Sequence, residues 1–332
     1  MKSRHFRSIA LTIISVGIIA AFVYYLYLNA DQYQRLLNIS VPGAIALFAL
    51  TLAFPVLNGL QNILLYRSLG IPISYWDGYL ITAASTLANQ LPISGGVVSK
   101  GFYLKQRYNL SYTTFLSSTV ALFICFIAAN ALVGLAILLY WIVFDKMVVN
   151  PVLLLTYIGM AAFMLIFWLP LDRIKVPGKI QNWSAQAIEG WMLISKNPVL
   201  LFRLIGLQFL LMLLLAGRYW LAFHMLSQNV TMAQTLLFAS ASILTQLVSI
   251  APGGLGVREA LVGTVAATLG FDPAVSAVAV GLDRLASTLM VLITGWFSTV
   301  VIGKQMSEAR AKPDAQNKLS DESGKVIGRQ SP

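Results

Sequence analysis

The chain has 332 residues, of which 58% are hydrophobic and only 11% are charged, and its formal net charge is +11. Soluble domains carry roughly a quarter charged residues, because a folded chain in water needs a polar surface. The composition therefore excludes a soluble enzyme, a disordered protein and a nucleic-acid-binding module. It predicts an all-α polytopic integral membrane protein.

Six long apolar stretches predict full membrane spans, since a span needs about 20 apolar residues. The basic residues Lys2, Arg4 and Arg7 precede the first stretch, as in a signal peptide, but the stretch is too long for one, so we expect an uncleaved span. Residues 1–302 are thus predicted to form a single transmembrane domain. The six spans are residues 8–28, 42–65, 115–142, 151–170, 199–224 and 275–302.

Two further apolar segments, residues 76–107 and 232–270, are each interrupted near the middle by proline and glycine. Proline removes a backbone donor and glycine weakens a helix, so neither segment is expected to form one unbroken helix. We predict that both are re-entrant, which means that each enters and leaves the membrane on the same side.

The distribution of Lys and Arg sets the predicted orientation. With two re-entrant segments, 16 of the 23 basic residues fall on the side of the N-terminus and two on the other side. This bias satisfies the positive-inside rule and places both termini in the cytoplasm, for a protein of the cytoplasmic (inner) membrane. Arg203 and Arg218, near the two ends of one span, are predicted to anchor it at the membrane interfaces.

Two polar segments flank the predicted spans. Residues 172–197 carry apolar side chains at spacings of three or four, which predicts an amphipathic helix on the cytoplasmic surface or, equally, a short soluble connector. Residues 303–332 are polar and highly charged, and we expect a disordered cytoplasmic tail.

The two broken segments align with each other at an offset of 158 residues. Gly95 and Gly96 fall on a second glycine pair, Gly253 and Gly254, and basic residues follow both pairs at the same distance. Three predicted spans lie between the segments, and an odd number means that the second enters from the opposite face. Inverted repeats of this kind place the substrate site where the two breaks meet.

The chemistry expected at the breaks is anion binding. After each glycine pair a new helix would begin, and its free N–H groups attract anions such as phosphate. Lys100 and Arg258 stand near these helix starts, where the helix dipole disfavours a cation unless an anion lies between them. The alternative is that both side chains reach out to the lipid headgroups. The predicted substrate-binding residues are Asn89, Gln90, Pro92, Gly95, Gly96, Lys100, Gln246, Ser249, Pro252, Gly253, Gly254, Gly256 and Arg258.

Three more ionisable residues, Glu259, Asp283 and Arg284, lie within apolar segments. Each ion near the membrane centre costs about 2.5–3.5 kcal/mol, so such residues face the protein interior and have partners. Neighbours on a helix point in different directions, so Asp283 and Arg284 should not pair with each other. We predict a gate in which Arg284 pairs with Glu259, and Asp283 pairs with Lys100 or Arg258.

These motifs carry a family resemblance. Two segments resemble the two signatures of the lysylphosphatidylglycerol synthase transmembrane-region family, the flippase-like domains: NQLPISGG at 89–96, followed by Lys100, and APGGLGVRE at 251–259. Arg284 matches the basic residue of the family's last helix. The resemblance covers about residues 8–302 and implies lipid translocation without naming the lipid. In bacterial multiple peptide resistance factors this domain is fused to an aminoacyltransferase, which is absent here, so we expect a stand-alone member that does not itself lysylate lipids.

The favoured function is therefore that of a flippase or transporter for a phosphate-bearing lipid, whether anionic, aminoacylated or glycosylated. The alternatives are a membrane partner of a lipid or polysaccharide synthase, a prenyl-phosphate-dependent transferase, and a small-solute transporter. We expect no enzymatic activity, no cofactor, no metal and no nucleic-acid partner. The expected partners are a membrane lipid substrate and a separate lipid-modifying or polysaccharide-synthesis enzyme, and the oligomeric state stays open.

Overall fold

The computed structural model describes residues 39–90, 95–166, 189, 191–192, 195–245 and 256–327. Residues 164–166, 243–244 and 308–327 are described by their backbone only. The predicted first span and most of the linker 172–197 lie outside the described residues. So do six predicted site residues: Pro92, Gln246, Ser249, Pro252, Gly253 and Gly254.

The described residues form helices and contain no strand, which confirms the predicted all-α fold. Serine and asparagine side chains cap several helix starts, as expected for residues that satisfy the first free N–H groups. The helices are α1 (Val41–Ser68), α2 (Tyr75–Ala88), α3 (Gly95–Tyr108), α4 (Tyr112–Val143), α5 (Pro151–Ile166), α6 (Pro198–Met225), α7 (Met232–Leu244), α8 (Val257–Thr268) and α9 (Pro273–Ile327).

Four of these helices are long and apolar enough to cross a membrane: α1, α4, α6 and the Pro273–Ser307 part of α9. Each contains one predicted span, and α5 provides a shorter apolar helix at the position of another. Large apolar side chains on their outer faces are exposed, including Phe202 at 74% and Trp296 at 70%. Such a surface is unfavourable in water and suited to lipid, so the chain is a multi-pass membrane protein.

Helices α2 and α3 form a hairpin. At its base, the Tyr108 hydroxyl at the end of α3 donates a hydrogen bond of 2.6 Å to Asp77 in the first turn of α2. At its tip, the backbone N–H of Gly96 donates to the Asn89 side chain at 3.0 Å. Each helix has 14 residues, so it is about 21 Å long. That length is less than the roughly 30 Å hydrocarbon core, so the geometry agrees with a re-entrant segment.

Helices α7 and α8 form the second hairpin. At its tip, Arg258 in the first turn of α8 donates a hydrogen bond of 2.6 Å from Nε to Ser242 near the end of α7. Toward its base, Phe271, just beyond α8, packs edge-on against Phe238 of α7 and against Phe223 of α6. The described helices on either side of each predicted break therefore form a hairpin.

Each hairpin packs into its own apolar core. Ile81 and Tyr103 of the first hairpin are buried with Tyr66 at the end of α1. Phe238 and Val262 of the second hairpin are buried in a larger cluster that also includes α4, α5, α6 and α9. These two cores hold the bodies of the hairpins in place.

The two halves of the chain repeat the same turns. Helices α1 and α6 each have 28 residues, and their starts differ by 157 positions, as do the starts of α2 and α7. The turn after α1 and the turn after α6 make the same three backbone hydrogen bonds at that offset. Gly70 and Ser227 occupy the equivalent left-handed position, with φ of 79° and 59°. The structural offset lies within one residue of the predicted 158.

The repeat is inverted, because the equivalent helices α1 and α6 run antiparallel. Gln61, late in α1, donates a hydrogen bond of 3.1 Å to Gln208 in the first half of α6. Gly43, at the beginning of α1, lies against Met225, the last residue of α6. The start of each helix thus lies beside the end of the other, as a two-fold axis in the membrane plane requires.

The repeat differs from the sequence alignment at the second break. Helix α3 begins at Gly95, but α8 begins at Val257, several residues later than the 158-residue offset requires. Lys100 is therefore the sixth residue of its helix and Arg258 the second. Only Arg258 stands in the first turn, where the helix dipole disfavours a cation.

The C-terminal segment also differs from the prediction. Helix α9 continues to Ile327, whereas a disordered tail was predicted from residue 303. The segment is rich in Lys, Gln, Glu and Ala, which have high helix propensity, and a helix already started continues more easily than a new one begins.

We expect reciprocal substitutions in the two equivalent turns to have opposite effects on stability. Ser227→Gly should raise the free energy of unfolding by about 1 kcal/mol, because a left-handed backbone costs a residue with a Cβ roughly that much. Gly70→Ser should lower it by a similar amount, although a Cβ at Gly70 meets no atom within 4 Å. Thermal unfolding in detergent measures both, and equal shifts in the same direction would contradict the equivalence.

Candidate functional site

A cavity of about 460 Å³ lies where the two hairpin tips meet. Asn89, Gln90 and Lys100 line it from the first hairpin, and Thr245 and Arg258 line it from the second. Described residues beside both predicted breaks therefore line one cavity. Helices α1, α4, α6 and α9 complete its wall.

Lys100 enters the cavity from α3. Its Nζ donates a hydrogen bond of 2.5 Å to Oδ1 of Asn62 on α1 and stands 5.6 Å from the centre of the Tyr66 ring. Within the described part of the chain, no carboxylate lies within salt-bridge distance of this ammonium. An ammonium has three donors, so two remain for a ligand.

Arg258 enters from the first turn of α8 and is held by several acceptors. Its Nη2 lies 3.2 Å from Asp283 of α9, and its Nε donates to the Tyr219 hydroxyl at 2.8 Å as well as to Ser242. The side chain is 21% exposed and Asp283 is fully buried. The contact confirms the predicted pairing of Asp283 with Arg258; the other predicted partner, Lys100, contacts Asn62 instead.

Arg218 shares the same carboxylate, and its predicted role as an interface anchor is wrong. Its Nε and Nη2 both lie 2.7 Å from Oδ1 of Asp283, and the side chain is 4% exposed. One buried Asp283 thus holds two guanidinium groups, from α6 and α8. The packing of α6 against α9, which the order of the sequence does not reveal, makes this residue near a span end part of the cavity wall.

Arg284 and Glu259 form the second buried ion pair, with 2.9 Å between Nη1 and Oε1, which confirms the predicted pairing. Glu259 also accepts the backbone N–H of Gly256 at 3.0 Å. Gly256 has a φ of 78°, a conformation that favours glycine, and this bond caps the start of α8. The pair therefore ties the second hairpin tip to α9.

The cavity wall carries an excess of positive charge. Four cationic side chains line it, and two carboxylates, Glu259 and Asp283, lie behind it with 1% and 0% exposure. The undescribed break residues 91–94 and 246–255 include no Asp or Glu. Among the described residues, the cations thus outnumber the carboxylates by two in a medium where water screens weakly, so the wall favours an anion. The four cations are Lys100, Arg218, Arg258 and Arg284.

Comparison with known families gives a match over most of the chain. The family model described as the lysylphosphatidylglycerol synthase transmembrane region matches residues 12–295. The chain belongs to this family. No curated protein and no solved structure matches it. Membership makes the chain a membrane protein of a lipid-related family, and confirms the resemblance carried by the two broken motifs.

In this family member, the predicted substrate residues within the described ranges fall into two groups: some line the cavity, and others shape the backbone at the hairpin tips. Asn89, Gln90, Lys100 and Arg258 line the cavity. Gly96 instead packs inside the first hairpin tip, and Gly256 starts α8. The alternative that Lys100 and Arg258 reach out to the headgroups at helix ends differs from their observed contacts, which lie inside the protein.

Sequence reasoning missed the amides that α1 contributes. Asn58, Gln61 and Asn62 line the cavity beside Gln208 of α6. Asn62 is 3% exposed and joins Lys100 to Thr82 of α2. Their spacing of three and four places them on one helix face, and three amides on one face of an apolar span predict an inward-facing polar stripe.

We expect Gly96→Ala to disrupt the first hairpin tip. A Cβ at this position would lie 2.2 Å from the backbone oxygen of Ser85 and 2.3 Å from the Asn89 side chain, so α2 and α3 would have to separate. Overpacking of this kind costs about 1–3 kcal/mol. Thermal unfolding measures the loss. Gly217→Ala, where a Cβ meets no atom within 4 Å, is the matched control and should leave stability within about 0.5 kcal/mol.

Proposed function

We propose that this protein translocates a phosphate-bearing lipid across the cytoplasmic membrane and is a transporter, not an enzyme. The observation that carries the proposal is the cavity with excess positive charge between two inverted helical hairpins. Arginine and lysine are the side chains that bind phosphate best, through charge-assisted hydrogen bonds.

The shape of the cavity supports a lipid ligand. One side of its wall is apolar, and Phe123 on this side is also 42% exposed on the surface of α4. We take this apolar side, near Phe123, as the entrance from the bilayer. A headgroup can enter there while its acyl chains stay in the bilayer, which avoids the cost of moving them through a polar site.

The inverted repeat supports transport. Each hairpin approaches the centre from its own half of the chain, and each supplies a cation, Lys100 or Arg258. Movement of one hairpin against the other exposes a site between them first to one face and then to the other. The Arg284–Glu259 pair links the second hairpin to α9, and we assign it the role of holding the gate.

Reconstitution tests the proposal. The purified protein is placed in vesicles with a small fraction of acyl-labelled phosphatidylglycerol or phosphatidic acid, and dithionite bleaches the outer-leaflet label. We expect the inner-leaflet label to become accessible faster than in protein-free vesicles. Absence of acceleration for both lipids, in either orientation of the protein, would refute the proposal.

A further inference from the structure

We infer that the cavity selects headgroups whose only ionised group is a phosphate, with a preference for phosphomonoesters, and rejects headgroups that carry an amine. This inference rests on the proposed function and names the substrate class of the same site. It follows from three features of the wall: where the carboxylates lie, how three of the amide oxygens are used, and by how many the cations outnumber the carboxylates.

Among the described residues that line the cavity, none is a carboxylate that could bind a ligand amine. Of the 12 acidic residues in the chain, three lie within the hairpin helices or the apolar part of α9. One of them, Asp77, accepts the hydrogen bond of Tyr108 at the base of the first hairpin, and the other two are Glu259 and Asp283. Glu259 is bound by Arg284 and by the N–H of Gly256, and Asp283 is bound by two arginines. Neither carboxylate lines the cavity. A lysyl or ethanolamine ammonium would therefore enter a cationic site with no opposite charge to meet, at a cost of several kcal/mol.

Three amide oxygens of the described wall are also in use. Asn62 Oδ1 accepts from Lys100, Asn58 Oδ1 accepts from Asn62 Nδ2, and Gln208 Oε1 accepts from Gln61 Nε2. These three neutral acceptors, which could otherwise hold an ammonium, thus already bind protein donors.

The unpartnered donors fit a phosphate. Lys100 uses one of its donors on Asn62, and Nη1 of Arg258 has no partner among the described residues. Four cations against two carboxylates leave an excess of two positive charges. A phosphomonoester carries close to two negative charges near neutral pH, so it balances this excess, whereas a phosphodiester balances half of it.

The test compares four acyl-labelled lipids in the same vesicles: phosphatidic acid, phosphatidylglycerol, phosphatidylethanolamine and lysylphosphatidylglycerol. We expect the order of rates to follow this sequence, with the two amine-bearing lipids at least about tenfold slower than phosphatidic acid. Equal rates for lysylphosphatidylglycerol and phosphatidic acid would overturn the inference and leave translocation intact. No acceleration for any of the four lipids would instead refute the proposed function.

A charge variant sharpens the test. Lys100→Gln removes one of the two excess charges and breaks no salt bridge in the described structure. We expect it to reduce the ratio of the phosphatidic acid rate to the phosphatidylglycerol rate by about tenfold, because a single positive charge now faces the ligand. An unchanged ratio in a variant that elutes as a folded protein would overturn the charge-matching argument.

Discussion

Replacing Asp283 by alanine is expected to lower the free energy of unfolding by about 3–5 kcal/mol, the usual cost of removing one partner of a buried ion pair. The carboxylate is fully buried and holds both Arg218 and Arg258, so its loss leaves two cations of the apolar interior without their counter-charge. Thermal unfolding in detergent, together with the yield of monodisperse protein, measures the effect.

The matched control for this variant is Asp145→Ala, which removes a carboxylate from an exposed position after α4. It should change stability by less than about 0.5 kcal/mol. A double variant, Arg218→Leu with Asp283→Leu, should lose less stability than the sum of the two single changes, because it removes a pair together. If Asp283→Ala and Asp145→Ala unfolded at the same temperature, the buried cluster would not stabilise the site.

Lys100→Ala is expected to slow lipid translocation about 10- to 100-fold and to leave the fold intact. The ammonium has no carboxylate partner in the described structure, so its removal strands no buried charge. A hydrogen bond to a charged phosphate contributes about 1.5–3 kcal/mol, which sets the size of the loss. The dithionite assay measures the rate, and thermal unfolding measures the fold.

The control for Lys100→Ala is Arg107→Ala, which removes one positive charge from an exposed position on the same helix. Its transport rate should equal that of the unchanged protein. Lys100→Arg should restore part of the rate, because it returns the charge with a different geometry. A normal rate for Lys100→Ala would remove this residue from the site.

Much of the fold is encoded locally and was predictable. Long apolar runs mark α1, α4, α6 and α9, and the prolines and glycines mark the hairpin tips. The pairing of Arg284 with Glu259 was also predictable, because ions in an apolar segment need partners and Asp283, the neighbour of Arg284 in sequence, points elsewhere.

What the sequence could not supply is which distant side chains meet. Arg218 lies near the end of an apolar run, where the snorkelling of a cation is common, and only the packing of α6 against α9 brings it to Asp283. Asn62 lies in a run that otherwise looks like an ordinary span, yet it holds Lys100. An alignment based on the two glycine pairs also cannot show that α8 begins later in its repeat than α3 does.

The central claim is that an anionic lipid headgroup binds between the two hairpin tips, and photocrosslinking tests it most directly. A phosphatidic acid analogue with a photoreactive group near its phosphate is incubated with the reconstituted protein, irradiated, and the adducts are located by mass spectrometry. We predict adducts at cavity-lining residues of α1 and the first hairpin, such as Asn62, Gln90 and Val97, and their loss in Lys100→Ala. Adducts confined to the lipid-facing surface around Phe202 and Trp296, and unchanged in that variant, would contradict the claim.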